Sequence, residues 1–261
     1  MRVGTFLAGA AMLLLGAALA LAAGGWWLRH QAALARRRIG KPLGEKALDA
    51  DRVWRRRLAG APIDLVVLGD SIAAGLGAEH RKETLGGRIA KGVARRSGRP
   101  VRLRVAAVVG SESSALAGQL DALPDQYRPE VAVIVVGGND VTHRVPIAQS
   151  AAYLAEAVRR LRERGAEVVV GTCPDLGALH RVPQPLRELG SRMSRRLAAA
   201  QARAASEAGA HVVSLRDAVG EVFLAEPDEM FSVDSFHPSA AGYRRTAEAL
   251  VPSITDALTR R

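Results

Sequence analysis

The chain has 261 residues, of which 48% are hydrophobic, 24% charged and only 4% aromatic. This composition fits one globular domain with a short additional segment, and it excludes a disordered or collagen-like chain. Residues 1–60 hold 11 basic and 3 acidic side chains. Their net charge of +8 is most of the formal net charge of +11 of the whole chain. The remainder is nearly balanced, so we expect no nucleic acid partner for the folded body. The single cysteine, Cys173, excludes an intramolecular disulfide and a multi-cysteine zinc site.

The N-terminal region is apolar and uncharged from residue 3 to residue 28, which exceeds the ~20 residues that a helix needs to cross a bilayer. Alanine-rich cleavage sites lie at 18–22, and Trp26 and Trp27 stand where an interfacial belt would lie. We therefore expect a signal peptide or a membrane anchor over residues 1–28. The basic residues that follow the apolar run favour an orientation with the folded body in the cytoplasm. The short basic segment before the run and the alanine cleavage sites favour export of the body instead. We expect an exported or membrane-anchored protein with an extracytoplasmic body.

The rest of the chain divides into a basic juxtamembrane linker at 29–61 and a domain at 62–261. Within the domain, short valine-rich runs predict buried strands, and the stretches between them have helical spacing of apolar residues. The five strands are expected at 64–69, 101–109, 131–136, 166–171 and 211–215. This alternation predicts an α/β fold, a three-layer α/β/α sandwich around a five-stranded parallel sheet. Its ligand site should lie beyond the carboxyl ends of the strands.

Two segments place polar groups directly after predicted strands. In Gly69-Asp70-Ser71, after the first strand, the serine can act as a nucleophile while its own N–H points at a carbonyl oxygen. In Gly137-Gly138-Asn139-Asp140, after the third strand, the asparagine amide can donate to an oxyanion. Taken singly, each segment is more typical of a turn or a helix cap.

A third segment, Asp234-Ser235-Phe236-His237-Pro238, precedes the last predicted helix. The Asp234 carboxylate can hold one imidazole nitrogen of His237 and leave the other free to take a proton from a serine. Alone, this segment is more typical of a loop histidine with a local hydrogen bond. Because all three segments map to one edge of the predicted sheet, we expect a nucleophile, a base with its orienting carboxylate and an oxyanion donor to meet there.

The three blocks resemble the SGNH branch of the GDSL hydrolase superfamily, which is named after a serine, a glycine, an asparagine and a histidine in four blocks. The resemblance covers residues 62–258 and implies the flavodoxin-like, three-layer fold of SGNH hydrolases. It implies Ser71 as nucleophile, His237 as general base and Asp234 as its orienting residue. The implied oxyanion hole consists of the Ser71 and Gly110 N–H groups and the Asn139 amide. Gly110, which follows the second predicted strand, is the best match to the glycine of the family.

The resemblance implies a GDSL-type serine esterase or lipase that cleaves carboxylic esters through an acyl-serine intermediate. The same site would also suit a cell-envelope O-acyltransferase or a glycan deacetylase, and a binding domain that keeps the fold is a third reading. The substrate is then a small-molecule ester or an ester of a lipid or glycan. We expect no cofactor and no metal, and a monomeric protein. The elbow of α/β-hydrolases does not fit, because Ala73 stands where that motif needs a glycine.

Overall fold

A computed structural model describes residues 2–260 of the chain, with the side chains of residues 12–260. Its centre is a sheet of six strands in the order β1-β3-β2-β4-β5-β6. The strands are β1 Arg52–Trp54, β2 Ile63–Gly69, β3 Val101–Val105, β4 Val131–Val135, β5 Glu167–Gly171 and β6 His211–Val213. Strands β2 to β6 are parallel, which confirms the five predicted strands, and β1 adds an antiparallel edge beside β3.

The five parallel strands follow the order 2-1-3-4-5, which is the flavodoxin-like arrangement. In this arrangement, the strand order reverses between β2 and β4, and a crevice opens there at their carboxyl ends. Ser71 begins the short helix Ser71–Ala74 after β2, and Asn139 lies in the first turn of the helix Gly138–His143 after β4. The topology therefore places two of the predicted site segments on either side of the switch point.

Helices cover both faces of the sheet, which confirms the three-layer sandwich. They are α1 Arg2–Ile39, α2 Ser71–Ala74, α3 Leu85–Ser97, α4 Leu116–Asp121, α5 Gly138–His143, α6 Ile147–Glu163, α7 Leu186–Glu207, α8 Leu215–Ala225, α9 Pro227–Met230 and α10 Ala240–Thr259. Alternate residues of β2 enter opposite cores: Leu65 and Val67 pack with α3, α8 and α10, whereas Val66 and Leu68 pack with α4 and α6. The fully buried valine runs reflect this two-sided covering.

The N-terminal hydrophobic helix predicted from the sequence is present as α1. Its stretch Met12–Ile39 has a mean hydropathy of 1.5 in its most apolar window and is long enough to cross a membrane. The helix continues past the apolar run to Ile39, through residues that the sequence pattern predicts to be a linker. Strand β1 also lies within that predicted linker, so the sheet begins about ten residues before position 62. The division into 1–28, 29–61 and 62–261 otherwise stays a prediction.

Candidate active site

The turn after β2 presents Ser71 at the start of the short helix α2. Asp70 caps this helix, since its Oδ1 accepts a hydrogen bond of 3.0 Å from the N–H of Ile72. Gly69 makes the turn possible: its φ is +131°, and a Cβ there would lie 1.8 Å from the carbonyl oxygen of Val135. Only glycine lets the end of β2 pass the end of β4 this closely. Ser71 is 6% exposed, at the bottom of a cleft.

The three side chains predicted to form the catalytic set are in hydrogen-bond contact. The Nε2 atom of His237 lies 2.9 Å from Ser71 Oγ, and its Nδ1 atom lies 2.6 Å from Asp234 Oδ2. The other oxygen of Asp234 accepts two backbone N–H bonds of 2.9 Å, from Phe236 and from His237 itself. The spacing of three residues between acid and base therefore folds into one tight turn before α10, which fixes the imidazole ring.

The charge state of Asp234 sets the tautomer of His237. Burial alone would raise the pKa of this carboxyl, but hydrogen bonds from His237 and Phe236 outweigh burial and hold its pKa below the ordinary value of 3.8. The ionised carboxylate accepts from Nδ1–H, so Nε2 is left without a proton and can accept from the Ser71 hydroxyl. This arrangement can remove a proton from a serine that attacks an electrophile.

The candidate oxyanion donors are the N–H groups of Ser71 and Gly110 and the side-chain amide of Asn139. The Asn139 amide donates to the carbonyl of Ser111 at 2.9 Å, which brings the loop after β3 beside the loop after β4. Gly110 precedes Ser111 in a tight turn, with a φ of +82°. Within residues 12–260, the N–H groups of Ser71 and Gly110 donate to no protein acceptor. Both N–H groups, together with the second amide hydrogen of Asn139, are therefore free to meet a ligand oxygen.

Asp140 fixes the segment after β3 that contains Gly110 and Ser113. Its buried carboxylate accepts the backbone N–H of Ser113 at 3.0 Å and also the hydroxyl of Ser150. The asparagine and the aspartate of one motif thus each bind the loop after β3, at Ser111 and at Ser113. The sequence pattern predicts the asparagine as a donor, but it does not indicate this second task of the motif.

Two buried glutamines that the sequence reasoning missed tie the strand ends at the site. Gln119 accepts from the N–H of Gly69 at 2.9 Å and donates to its carbonyl at 2.8 Å. Gln201 accepts from the N–H of Cys173 at 2.7 Å and donates to the carbonyl of Val136 at 2.9 Å. Gln119 lies between Leu116 and Leu120 on the buried face of α4, and a polar residue at such a position is the signal that could have found it. Gln201 lies on a buried face of α7 that also carries serines, so the pattern gives no such signal there.

An apolar cavity opens beside Ser71 and Asn139. It lies between the loop after β5, α8 and the turn before α10, and it is narrow, with about 60 Å³ of space for the centres of water-sized spheres. Its apolar walls come from Ile72, Pro174, Leu176, Ala178, Leu179, Leu215, Val219, Phe223, Phe231 and Phe236. A narrow and largely apolar cavity beside a serine hydroxyl is suited to the apolar part of a small ligand.

Two further side chains near this edge of the sheet, His143 and Cys173, lie outside this geometry. His143 is exposed and pairs with Glu112 at 2.7 Å. Cys173 is buried, and burial raises the pKa of its thiol well above the ordinary value. Among residues 12–260, no group of three His, Cys, Asp or Glu side chains is placed to hold a metal ion.

Asp70 carries the most perturbed acidic group at the site. Its side chain is 2% exposed, and burial raises its pKa to about 6, although the N–H groups of Ile72 and Gly137 act in the opposite direction. The native protein therefore holds this proton up to a pH at which the unfolded chain has lost it. The contribution of Asp70 to the free energy of unfolding therefore falls as the pH rises from 3.8 to about 6. Above that range, the full destabilisation by the buried carboxylate is present.

Replacement of Asp70 by asparagine is expected to remove this cost. The amide oxygen can still cap Ile72, and no proton is lost, so the variant should gain stability relative to the native protein between pH 4 and pH 7.5. Two pKa units correspond to roughly 3 kcal/mol. Urea unfolding at both pH values measures the change, with the exposed Asp125→Asn as the matched control. A difference in unfolding free energy that is equal at the two pH values would contradict the argument.

Comparison with known proteins identifies similar chains. The model of the GDSL-like Lipase/Acylhydrolase family matches residues 67–245. A GDSL-like esterase of Mycobacterium tuberculosis, Rv1075c, is 45% identical over 212 residues. That match covers 79% of this chain and 66% of the relative, slightly less than two thirds of its length.

Two solved structures share the fold. The psychrotrophic esterase EstA from Pseudoalteromonas sp. matches with a TM-score of 0.59 and 21% identity, over 75% of this chain and 98% of that chain. A lipase/acylhydrolase from Enterococcus faecalis matches with a TM-score of 0.59 and 19% identity, over 74% of this chain and 96% of that chain.

Proposed function

Because the chain belongs to the GDSL-like lipase/acylhydrolase family of ester hydrolases, we propose that it cleaves carboxylic esters through an acyl intermediate on Ser71. The observation that carries this proposal is the continuous hydrogen-bond chain from Asp234 through His237 to Ser71, with distances of 2.6 and 2.9 Å. This series of hydrogen bonds ends at the hydroxyl of Ser71, which lies beside an apolar cavity. The similar proteins described above are esterases and a lipase/acylhydrolase, which favours hydrolysis over transfer to another alcohol.

In the first half-reaction, Ser71 Oγ attacks the ester carbonyl carbon while Nε2 of His237 takes the hydroxyl proton. The ionised Asp234 stabilises the imidazolium that forms. The carbonyl oxygen becomes an oxyanion and accepts hydrogen bonds from the N–H groups of Ser71 and Gly110 and from the Asn139 amide. The bond to the alcohol oxygen then breaks, and His237 gives its proton to the departing alcohol. The acyl group remains on Ser71.

In the second half-reaction, water takes the place of the alcohol. His237 removes a proton from the water as its oxygen attacks the acyl carbon, and the same three donors hold the oxyanion. The intermediate collapses when the bond to Ser71 Oγ breaks, and the proton on His237 returns to this oxygen. The carboxylic acid leaves, and the site is restored without a cofactor.

The apolar cavity is the proposed site of the acyl chain. Its lining includes Ser71 and Asn139, so an acyl carbonyl at the serine would point its chain toward the apolar walls. Within these walls, the rings of Phe223 and Phe231 pack edge to face, with their centroids 5.1 Å apart. Burial of each methylene contributes about 0.8 kcal/mol, or roughly a factor of four in binding. The length of the cavity should therefore set the preferred acyl length.

A larger side chain at Ala178 is expected to shift the substrate preference to shorter acyl chains. Ala178 is 5% exposed and lines the cavity, so Ala178→Leu would fill space equal to about three methylenes. We expect kcat/KM for p-nitrophenyl octanoate to fall by at least ~10-fold and that for the acetate to stay within about twofold. Ala199→Leu, on the exposed face of α7, is the matched control. An unchanged profile of acyl lengths would show that the cavity holds another part of the substrate.

Covalent trapping of the nucleophile tests the proposed function. The related esterase EstA is inhibited by monoethylphosphonate, so we would treat this chain with diethyl p-nitrophenyl phosphate and follow p-nitrophenyl butyrate hydrolysis. Trypsin releases Ser71 in the peptide 58–81, in which it is the only hydroxyl residue. We expect one adduct on this peptide and a parallel loss of activity. Full loss of activity without the adduct, or no ester cleavage by the folded chain, would overturn the proposal.

The proposal extends to the location of the protein. Helix α1 is long and apolar enough to cross a membrane, and its apolar side chains from Met12 to Trp27 are exposed. We propose that α1 directs the chain to a membrane and that the body lies on the extracytoplasmic side. The substrate is then an ester that is available in that compartment, on a small molecule, a lipid or a glycan.

A further inference from the structure

The end of α1 is attached to the catalytic body. Gln31 is 4% exposed, and both ends of its side-chain amide bind the backbone that leads into α7. Its Nε2 atom donates to the carbonyl of Gln184 at 2.6 Å, and its Oε1 atom accepts from the N–H of Leu186 at 3.1 Å. A separation of α1 from the body would break both of these part-buried hydrogen bonds and expose the Gln31 side chain to water.

Further contacts extend this attachment along α1. Ala35, one turn after Gln31, is 6% exposed, and Arg181 donates to the carbonyl of Arg38 at 3.2 Å. We refer to the contact of Gln31, Ala35 and Arg38 with residues 181–186 as the joint. The helix is continuous from the apolar run through the joint, so no flexible segment separates the two.

The joint places the body close to the plane in which the apolar run would end. Gln31 follows Trp27 by four residues, which is about 6 Å along a helix, and Arg38 follows it by about 16 Å. If Trp26 and Trp27 lie at a bilayer interface, residues 181–186 lie within roughly one to three helical turns of that interface. Basic side chains at 36–38, 181 and 187 would then face the headgroup region.

The segment held by the joint directly follows residues that line the cavity. Leu176, Ala178 and Leu179 line the cavity, and the chain continues from them directly into the joint at Arg181. The anchoring contact and the proposed acyl site are therefore built from one continuous stretch of chain. The position of α1 is thus coupled to the edge of the sheet that carries Ser71.

Exposed aliphatic side chains lie on the same edge. Val233 is 70% exposed beside Asp234, and Val108 is 54% exposed in the loop that carries Gly110. Leu224 is 56% exposed and shares a surface depression with Gln184 of the joint. Single exposed aliphatic residues are ordinary, but these three flank the catalytic loops and the joint. Exposed aliphatic side chains in such positions suit contact with the headgroup region of a lipid surface.

We propose that the catalytic edge of the body rests on the bilayer surface, held there by the joint, and that the substrate is an ester carried by a lipid of that bilayer. This inference rests on the proposed function, and it requires that α1 is retained. The cavity then receives an acyl chain that leaves the bilayer over a short path, and the chain stays in apolar surroundings.

Site-specific fluorescence tests the position of the body independently of activity. The full chain in phosphatidylcholine–phosphatidylglycerol vesicles is labelled with an environment-sensitive dye at Val233→Cys or Val108→Cys. Asp125→Cys, at the opposite edge of the sheet, is the control, and the native Cys173 is buried. We expect a blue shift and at least a ~3-fold reduction in iodide quenching at positions 233 and 108 only. Equal quenching at the three positions would overturn the proposal.

The joint is tested with Gln31→Ala, and Gln149→Ala, on the exposed face of α6, is the matched control. We expect Gln31→Ala to hydrolyse soluble p-nitrophenyl butyrate within about twofold of the native rate. Its hydrolysis of dioleoylglycerol in the vesicles should fall by ~5-fold or more, because the body is no longer held at the surface. Equal loss on both esters, equal rates for both variants, or no native cleavage of the vesicle ester would overturn the inference. Failure of the native chain on both esters would instead overturn the proposed function.

Discussion

Alanine at position 71 is expected to lower kcat/KM for p-nitrophenyl acetate by on the order of 10⁴-fold or more. The substitution removes the Oγ atom that lies 2.9 Å from Nε2 of His237, and with it the only route to the acyl intermediate. The residual rate would come from the oxyanion donors and from binding, which still orient water near the ester. Initial rates over a range of substrate concentrations measure the loss.

A second buried serine provides the control for this substitution. Ser113 is fully buried, and its hydroxyl has no hydrogen-bond partner among the described residues, so Ser113→Ala should keep activity and stability close to native. Both variants should unfold at nearly the same urea concentration. A Ser71→Ala protein that keeps more than about a hundredth of the native rate would show that another nucleophile acts.

Asparagine at position 234 is expected to lower kcat by on the order of 10³- to 10⁴-fold. The size of the side chain is kept, but an amide NH₂ that faces Nδ1 favours the tautomer with its proton on Nε2. That nitrogen then cannot accept the proton of Ser71. Initial rates at pH 8 measure the effect, and Asp228→Asn, on the exposed surface of α9, is the matched control. A loss below about tenfold would mean that another group orients His237.

The same variant should also show a pH-dependent change in stability. Because the pKa of Asp234 is lower in the native state than in the unfolded chain, its ionisation stabilises the native state above pH 3.8. This contribution is lost as the pH falls through the lower native pKa. The difference in unfolding free energy between Asp234→Asn and the native protein should therefore be largest near neutral pH and shrink below pH 3.8.

The parts of the fold that the sequence predicts are those with a strong local pattern. Each valine-rich run is buried on both faces, so its composition alone distinguishes it from the amphipathic helices between the strands. The last helix is another case: Ser239 caps α10 at the position where the pattern predicts a helix start. The family resemblance is confirmed by the match to the family model, and two of its three motif blocks directly follow strand ends that the topology brings to one edge.

The features that the sequence did not predict depend on contacts distant in the chain. Strand β1 has three residues and begins with an arginine, so it has no pattern of its own and exists through its pairing with β3. The sequence pattern did not predict the extension of α1 to Ile39, because basic residues interrupt the apolar run there. Arginine is nevertheless a good helix former. The apolar cavity is built from α8 and from loops, whose shape no periodic signal describes.

The glutamine at position 119 bears on the reorganisation energy of the proposed reaction. It binds both backbone groups of Gly69, two residues before the nucleophile, while Asn139 and Asp140 hold the loop that carries Gly110. These backbone dipoles cannot turn far when negative charge develops on the substrate oxygen. The free energy of orienting the donors is therefore spent when the chain folds and does not add to the activation barrier in each catalytic cycle.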